Sequence, residues 1–330
     1  MVTVIGFHAS HEQIHPRELL HASVAAERAG FTAGMCSDHF APWSARQGHS
    51  GFAWSWLGAA LASTDLPFGV VNAPGQRYHP AIIAQAAATL AAMFPRRFWL
   101  ALGTGEALNE HITGGGWPRK EIRTARLREC VDIIRALLAG DEVSHRGLVT
   151  VDRARVWTLP ETPPPLVGAA VSVQTARDVA DWADGLITVA QPLDHLKRMI
   201  HAYRDAGGTG KLVLQVHLSW DPDEDTALRI AHDQWRSGAL GPPVSWDLET
   251  VEHFDTATRH VSPDVMREHV LISSDLEQHA RRPPPNLTPS HGLDRRPSSC
   301  RRCRRARASG TASPSWGLPG GDLPVVETIR

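Results

Sequence analysis

Ser37-Asp38-His39-Phe40-Ala41-Pro42-Trp43 decides the reading of this chain. It follows a short apolar run, Thr32 to Cys36, that predicts a buried strand. It precedes an apolar stretch, Phe52 to Leu61, that predicts a helix. An acid beside a histidine at the end of a strand is where an α/β enzyme places a proton-handling pair. The plainer reading has Asp38 capping a turn and His39 on the surface. A second junction repeats the pattern and favours chemistry. Phe98 to Leu102 reads as a strand, and Gly103-Thr104-Gly105-Glu106-Ala107-Leu108-Asn109-Glu110 follows it at once, glycines and an acid again.

Outward from these junctions the chain alternates strand and helix. Val2 to His8, Thr32 to Cys36, Leu66 to Val71 and Phe98 to Leu102 read as strands. Pro16 to Ala29, Phe52 to Ser63, Pro80 to Met93 and Lys120 to Leu138 read as the helices between and after them. Val149 to Thr158 interrupts the rhythm as a hairpin or excursion, and Pro160 to Pro165 is a proline-rich connector. Strands at Leu166 to Ala170, Gly185 to Val189 and Leu212 to Ser219 then alternate with helices at Gln174 to Trp182, Leu193 to Ala206 and Asp223 to Trp235. Seven such units predict parallel strands with right-handed crossovers. Residues 241–260 read as an insertion, followed by a short helix from Pro263 to His269 capped by Ser262. A closed (β/α)8 barrel needs one more strand. Val270 to Ile272 is short, and Val325 and Val326 stand isolated. The expected fold is therefore an α/β TIM-type barrel lacking a normal eighth β/α unit.

Composition bounds the rest. The 330 residues carry 34 Lys+Arg against 35 Asp+Glu, a balance that points to neither nucleic acid nor membrane. No apolar run reaches the roughly 18 residues of a spanning helix. No basic segment precedes an apolar one at the start, so no signal peptide is expected. Cys36, Cys130, Cys300 and Cys303 are too scattered for a disulfide framework and fit a cytoplasmic protein. Periodicity ends near residue 280. Roughly a third of residues 281–330 is Arg or Pro, a composition that cannot bury a core. The expected organisation is a barrel domain over 1–280 and a disordered tail over 281–330 that does not derive from the same reading frame. Cys300-Arg301-Arg302-Cys303 lacks a second ligand pair, so no metal is expected.

The combination of Ser37 to Trp43, Arg77-Tyr78-His79-Pro80-Ala81-Ile82-Ile83-Ala84-Gln85 and Gly103 to Glu110 resembles the luciferase-like superfamily of flavin and deazaflavin oxidoreductases. Within it the chain is similar to the F420-dependent glucose-6-phosphate dehydrogenases. It is more similar still to a branch of FMN-using, non-F420 flavinoid oxidoreductases. The resemblance covers residues 1 to about 280. It implies a site at the C-terminal ends of the barrel strands holding FMN, with coenzyme F420 as the alternative, and a small-molecule substrate.

Position by position, the resemblance makes His39 the base that removes a substrate hydroxyl proton and Glu106 the proton donor to the ring. It makes Asp38, Thr104 and Asn109 cofactor contacts and Trp43 an aromatic wall of the substrate pocket. Val70 and Val71 fall where the family has a strained bulge, often a non-prolyl cis peptide, behind the ring. Ala170, Val171 and Ser172 fall on the loop approaching the cofactor's tail. His8, ending the first strand, either touches substrate or packs. Trp54, Trp56 and Cys130 read as packing, and Gly114-Gly115-Gly116 as a loop over the entrance rather than a phosphate cradle.

The sequence also departs from the sugar-phosphate enzymes. Ala190-Gln191-Pro192-Leu193 contains no lysine, residues 241–260 contain none, and His269 stands about where the family has an arginine. A phosphate dianion needs cationic or helix-end partners, so glucose 6-phosphate is not the expected substrate. A monooxygenase and a barrel that binds a ligand or partner without turnover remain as alternatives. A homodimer would cover edges left by a missing unit.

Overall fold

Period-two alternation builds the central sheet. The computed structural model describes residues 4–281 and 325–328. In β1 (Ile5–Ala9), Phe7 and Ala9 face the surrounding helices and His8 faces inward. α1 (Pro16–Arg28) begins on His15, whose Nδ1 accepts from the Arg17 amide at 3.3 Å, with Pro16 in the first turn. Gly30, at φ +99°, turns the chain back into the sheet. β2 (Ala33–Ser37), α2 (Ala53–Ser63) and β3 (Phe68–Asn72) follow. α3 (Pro80–Met93) repeats the histidine–proline start, with His79 accepting from Ala81. Next come β4 (Phe98–Leu102), a single turn α4 (Ala107–Glu110) and the long α5 (Lys120–Leu138).

An antiparallel hairpin, β5 (Val143–Arg146) with β6 (Thr150–Ala154), lies outside the barrel. Its first strand escapes the sequence reading because only its second half carries an apolar alternation. The rhythm resumes with β7 (Leu166–Ala169), α6 (Val173–Val179), β8 (Gly185–Val189), α7 (Leu193–Asp205), β9 (Lys211–Trp220) and α8 (Glu224–Trp235). The stretch read as an insertion forms α9 (Val244–Asp247) and α10 (Val251–Ala257). β10 (Leu271–Ser273) and α11 (Leu276–Arg281) follow a 3-10 turn at Pro263–Glu268, and β11 (Val325–Thr328) comes last.

Eight of these strands close a parallel ring in the order β1, β2, β3, β4, β7, β8, β9, β11. The last position corrects the sequence reading, which left Val325 and Val326 outside any sheet. β11 pairs with β9 through Val325↔Leu214 and with β1 through Gly6↔Val326. No helix follows it among the described residues. β10 pairs with the upper end of β9, at Leu271↔Leu218, and does not reach β1. The rest of the tail, with its predicted disorder, its frame and Cys300 and Cys303, lies outside the described residues.

Inward side chains fill the barrel in a middle layer of Met35, Ala101, Val167, Ile187 and Val213. Outward ones, including Phe68, Val70, Leu100 and Leu102, join the core beneath the helices. Gly69 faces Trp99 so closely that a Cβ there would stand 1.9 Å from the indole. The barrel floor is thus closed by one large ring over one missing side chain. β3 runs in unbroken register against β2 and β4. The one cis peptide among the described residues is Pro242–Pro243. The expected bulge and cis bond at Val70 to Asn72 are therefore absent. Two full ladders already satisfy that strand's backbone.

Removing β11 by ending the chain before Val325 unpairs β1 and β9 on one side. The truncated protein should unfold at lower urea and associate more readily. An unchanged midpoint in equilibrium unfolding would show that ring closure does not depend on this strand.

Candidate active site

The loops after the strands surround a cavity of about 400 Å³ at the C-terminal end of the barrel. That size suits a small ligand or cofactor ring. Alternation explains which predicted residues reach it. Ser37, Val71, Ala169, Val189 and His217 are inward positions in the upper parts of their strands, Gly103 directly follows β4, and all line it. Asp38, His39, Trp43, Thr104, Glu106, Asn109, Ala170 and Val171 line it too.

Three predicted residues lie outside the cavity wall. Val70 faces outward into the helix layer, since the pleat sends neighbours to opposite faces. Ser172 spends its hydroxyl capping α6, accepting from the Thr175 amide at 3.2 Å. His8 points inward but is covered. It is 2 % exposed, with Nε2 3.4 Å from Ser37 Oγ, and burial drives its pKa down to about 3, so it is neutral.

The centre of the site is His39. Its Nδ1 lies 2.7 Å from Glu12 Oε1, on the loop after β1. The Trp43 ring meets His39 edge-on at 4.4 Å, and Trp43 Nε1 donates to Glu106 Oε2 at 3.3 Å. Imidazole, indole and carboxyl thus form one connected group from two loops, those after β2 and β4. Burial alone would depress the imidazole; the Glu12 carboxylate against it, helped by Glu106, outweighs that and raises its pKa. Burial also opposes ionisation of Glu12, yet the imidazolium beside it holds the carboxyl down at about 2. Glu12 Oε2 accepts from Ser10 Oγ at 2.8 Å, which fixes the carboxylate's second oxygen. Glu106 is pushed the other way. Burial raises its pKa, with His39 and the Trp43 donor only partly offsetting. Glu12 escapes the sequence reading because it sits mid-loop. His8-x-x-His11-Glu12 after a strand was the signal available.

Asp38 does structural work. Its Oδ2 accepts from Asn72 Nδ2 at 2.8 Å and Trp54 Nε1 at 3.2 Å, and its Oδ1 accepts from Tyr78 OH at 3.3 Å. Arg77 binds the Asp38 carbonyl at 2.6 Å and sits between the Asp38 and Glu110 carboxylates. Asn109 Oδ1 accepts from the Phe40 amide at 2.8 Å, holding the loop that carries His39. The same loop is pinned from the far side. Gln47 accepts from the Trp43 amide, and Asp255 on α10 takes Ser44 Oγ, the Ala45 amide and Arg46.

A residue of the cavity wall, Asn72, carries a buried acceptor without a hydrogen-bond partner. Asn72 Oδ1 makes no hydrogen bond although its amide nitrogen is bound to Asp38. A flavin or deazaflavin ring carries an imide N–H that can satisfy such an acceptor, and Val71, Ala73, Ile187 and Val189 offer flat apolar surface beside it. The residues present therefore fit a ring of this type.

Barrel and site together define the class of luciferase-like flavin- and F420-dependent oxidoreductases. The luciferase-like monooxygenase family profile matches residues 1–283, and the chain belongs to that family. It is 36% identical over 289 residues to the F420-dependent glucose-6-phosphate dehydrogenase of Segniliparus rotundus, covering 83% of this chain and 85% of that one. It is 38% identical over 289 residues to the enzyme of the same description from Mycobacterium tuberculosis, with the same coverage of each chain. Among solved structures, an F420-dependent secondary alcohol dehydrogenase in complex with an F420-acetone adduct superposes with TM-score 0.80 at 26% identity. That match covers 100% of this chain and 94% of the other. The EDTA monooxygenase of Chelativorans sp. BNC1, at 11% identity and TM-score 0.65 over 100% and 90% of the two chains, shares the fold. No described helix is long and apolar enough to cross a membrane.

The Glu12–His39 contact yields a signed prediction. His39's raised pKa contributes stability that is fully present below pH 6.5 and lost as pH rises through the folded value. Glu12's lowered pKa contributes stability that is present above pH 4.5 and lost as pH falls toward 2. Replacing Glu12→Gln removes the charge that opposes burial, so the His39 pKa should fall. NMR titration of the imidazole reads this directly. An unmoved His39 would mean the pair is not coupled.

Proposed function

We propose that this chain is an oxidoreductase that moves hydride between a flavin-type ring in the cavity and a small, weakly polar organic substrate. The single observation that carries this reading is the His39–Trp43–Glu106 group with Glu12 behind it. It offers a base and an acid on one cavity wall with pKa values displaced by their surroundings. The sequence reading put FMN ahead of F420. The F420 dependence named for the relatives at 36% and 38% identity, and for the alcohol dehydrogenase structure, supports the deazaflavin instead. When bound, either ring would supply the hydride acceptor.

The chain's own residues handle the proton. His39 receives the proton of a substrate hydroxyl at its free ring nitrogen while Glu12 holds the other nitrogen and stabilises the imidazolium. Glu106, kept protonated to higher pH by burial, holds a proton for the ring edge. Trp43 packs against the base and shields it from water. In the oxidation direction His39 must begin neutral, so turnover should rise with pH through its elevated pKa.

Glucose 6-phosphate fits this reading poorly. Arg77 on the cavity wall is already matched by Asp38 and Glu110, and residues 190–193 and 241–260 bring no lysine. Fluorescence titration with F420 and with FMN tests the cofactor, and an alcohol screen with oxygen monitoring tests the chemistry. Saturable binding of one ring is expected, with alcohol oxidation that consumes no oxygen. Oxygen-dependent turnover would make the protein a monooxygenase, and efficient oxidation of glucose 6-phosphate would contradict the substrate reading. Replacing His39→Ala should cost about 10²–10⁴-fold in kcat while leaving cofactor affinity nearly unchanged.

A further inference from the structure

Lys120 enters the cavity wall from the first turn of α5. Its ammonium lies 4.9 Å from the centre of the Trp246 ring, on α9. It has no ion-pair partner among the described residues, whereas Lys197 pairs with Asp194 on its own helix. The acid nearest Trp246 in sequence is engaged elsewhere. Asp247 accepts from Trp117 Nε1 at 2.8 Å, and Arg123 stacks on Trp117 at 4.0 Å. Arg123 in turn donates to the Pro118 carbonyl at 2.6 Å.

Burial lowers the Lys120 pKa and neighbouring Arg123 lowers it further, with Asp178 on α6 and Glu121 acting only at a distance in the opposite sense. An ammonium partly withdrawn from water costs free energy unless it gains a partner. The indole face supplies part of one. The cavity supplies the open side. Arg77, the other strong base on this wall, is already saturated by two carboxylates.

We propose that Lys120, held on Trp246, forms an anion subsite that receives the phosphate or carboxylate group of a ligand bound in the cavity. The subsite rests on the functional reading above: with a weakly polar substrate the group expected there is a cofactor's phosphate, and an acidic substrate group is the outcome that would revise the substrate class. The sequence alone did not single out Lys120, since it looked like one more base at a helix start. Trp246, which makes it distinctive, comes from an apparent insertion more than a hundred residues away.

The chain has only three lysines, Lys120, Lys197 and Lys211. Reductive 13C-methylation therefore gives three side-chain signals to follow by NMR, assigned with the Lys120→Gln variant. Inorganic phosphate should move the Lys120 signal saturably and raise its pKa, while Lys197 and Lys211 stay put. A Lys120 signal that ignores phosphate, or moves no more than the other two, overturns the proposal.

Two further arms name the source of the anion. Replacing Lys120→Gln should weaken FMN about tenfold or more while leaving riboflavin unchanged if the cofactor's phosphate sits there. F420 and its phosphate-free chromophore make the same comparison. If Lys120→Gln weakens FMN and F420 no more than their phosphate-free forms, and phosphate still moves Lys120 in the cofactor-bound protein, the anion belongs to the substrate. A chain that binds no flavin or deazaflavin but still responds to phosphate at Lys120 retains the subsite and loses the oxidoreductase reading.

Discussion

The buried carboxylate of Asp38 is the constraint on which the rest of the site depends. An acid at 3% exposure is tolerated only when its polar atoms find hydrogen-bond partners. Asn72 from the end of β3, Trp54 from α2 and Tyr78 from the turn before α3 supply them, and Arg77 stands near. Each donor comes from a different element, so satisfying this one group fixes how two successive strand–helix units meet. The next residue is His39. Its position is inherited from that arrangement, and only then does Glu12 add the charge that shapes its basicity. A single substitution at Asp38 would leave several buried donors unpaired at once.

Two kinds of opposition shape the chemistry. At His39 and Glu12, Coulomb attraction beats burial and shifts each group toward its charged form. At Glu106, burial beats the nearby imidazole and indole, and the proton is kept longer. The difference is geometric. Glu12 approaches the imidazole directly at 2.7 Å, whereas Glu106 is joined to it through Trp43. One cavity therefore holds a base and an acid near one another without their neutralising each other, an arrangement that proton transfer in both directions requires.

Most of the barrel was legible in the sequence because its signals are local. Strand runs such as Phe98–Leu102, helix starts such as His79-Pro80 and the two strand-to-acid junctions are each readable within a dozen residues. His39, Trp43 and Glu106 come together in the structure for the same reason: each ends a strand or begins the loop after it. The parts that escaped depend on distance. Glu12 matters only through its contact with His39, and Lys120 only through Trp246. β5 lacks an apolar face of its own. β11 is four residues long, and its pairing partners lie at Ile5 and Leu214, which no window around Val325 contains. Val70 and Val71 mark the limit of reading by resemblance: the pleat sends only one of an adjacent pair into the cavity.

The remoteness of β11 has a consequence for how the molecule comes to be assembled. Seven strands are complete by residue 220 and the last of their helices by residue 235, but the two rims they leave, β1 and β9, wait for a segment beginning at residue 325. Loop-closure entropy grows only slowly with length, by ~0.6 kcal/mol per doubling, so equilibrium tolerates the detour. Kinetics is less forgiving, since contacts distant along the chain form late. During synthesis an open arc of sheet must persist until residue 328 has left the ribosome. Its raw rims are then exposed to other nascent chains and to chaperones, and this single late insertion would set the yield of finished barrels.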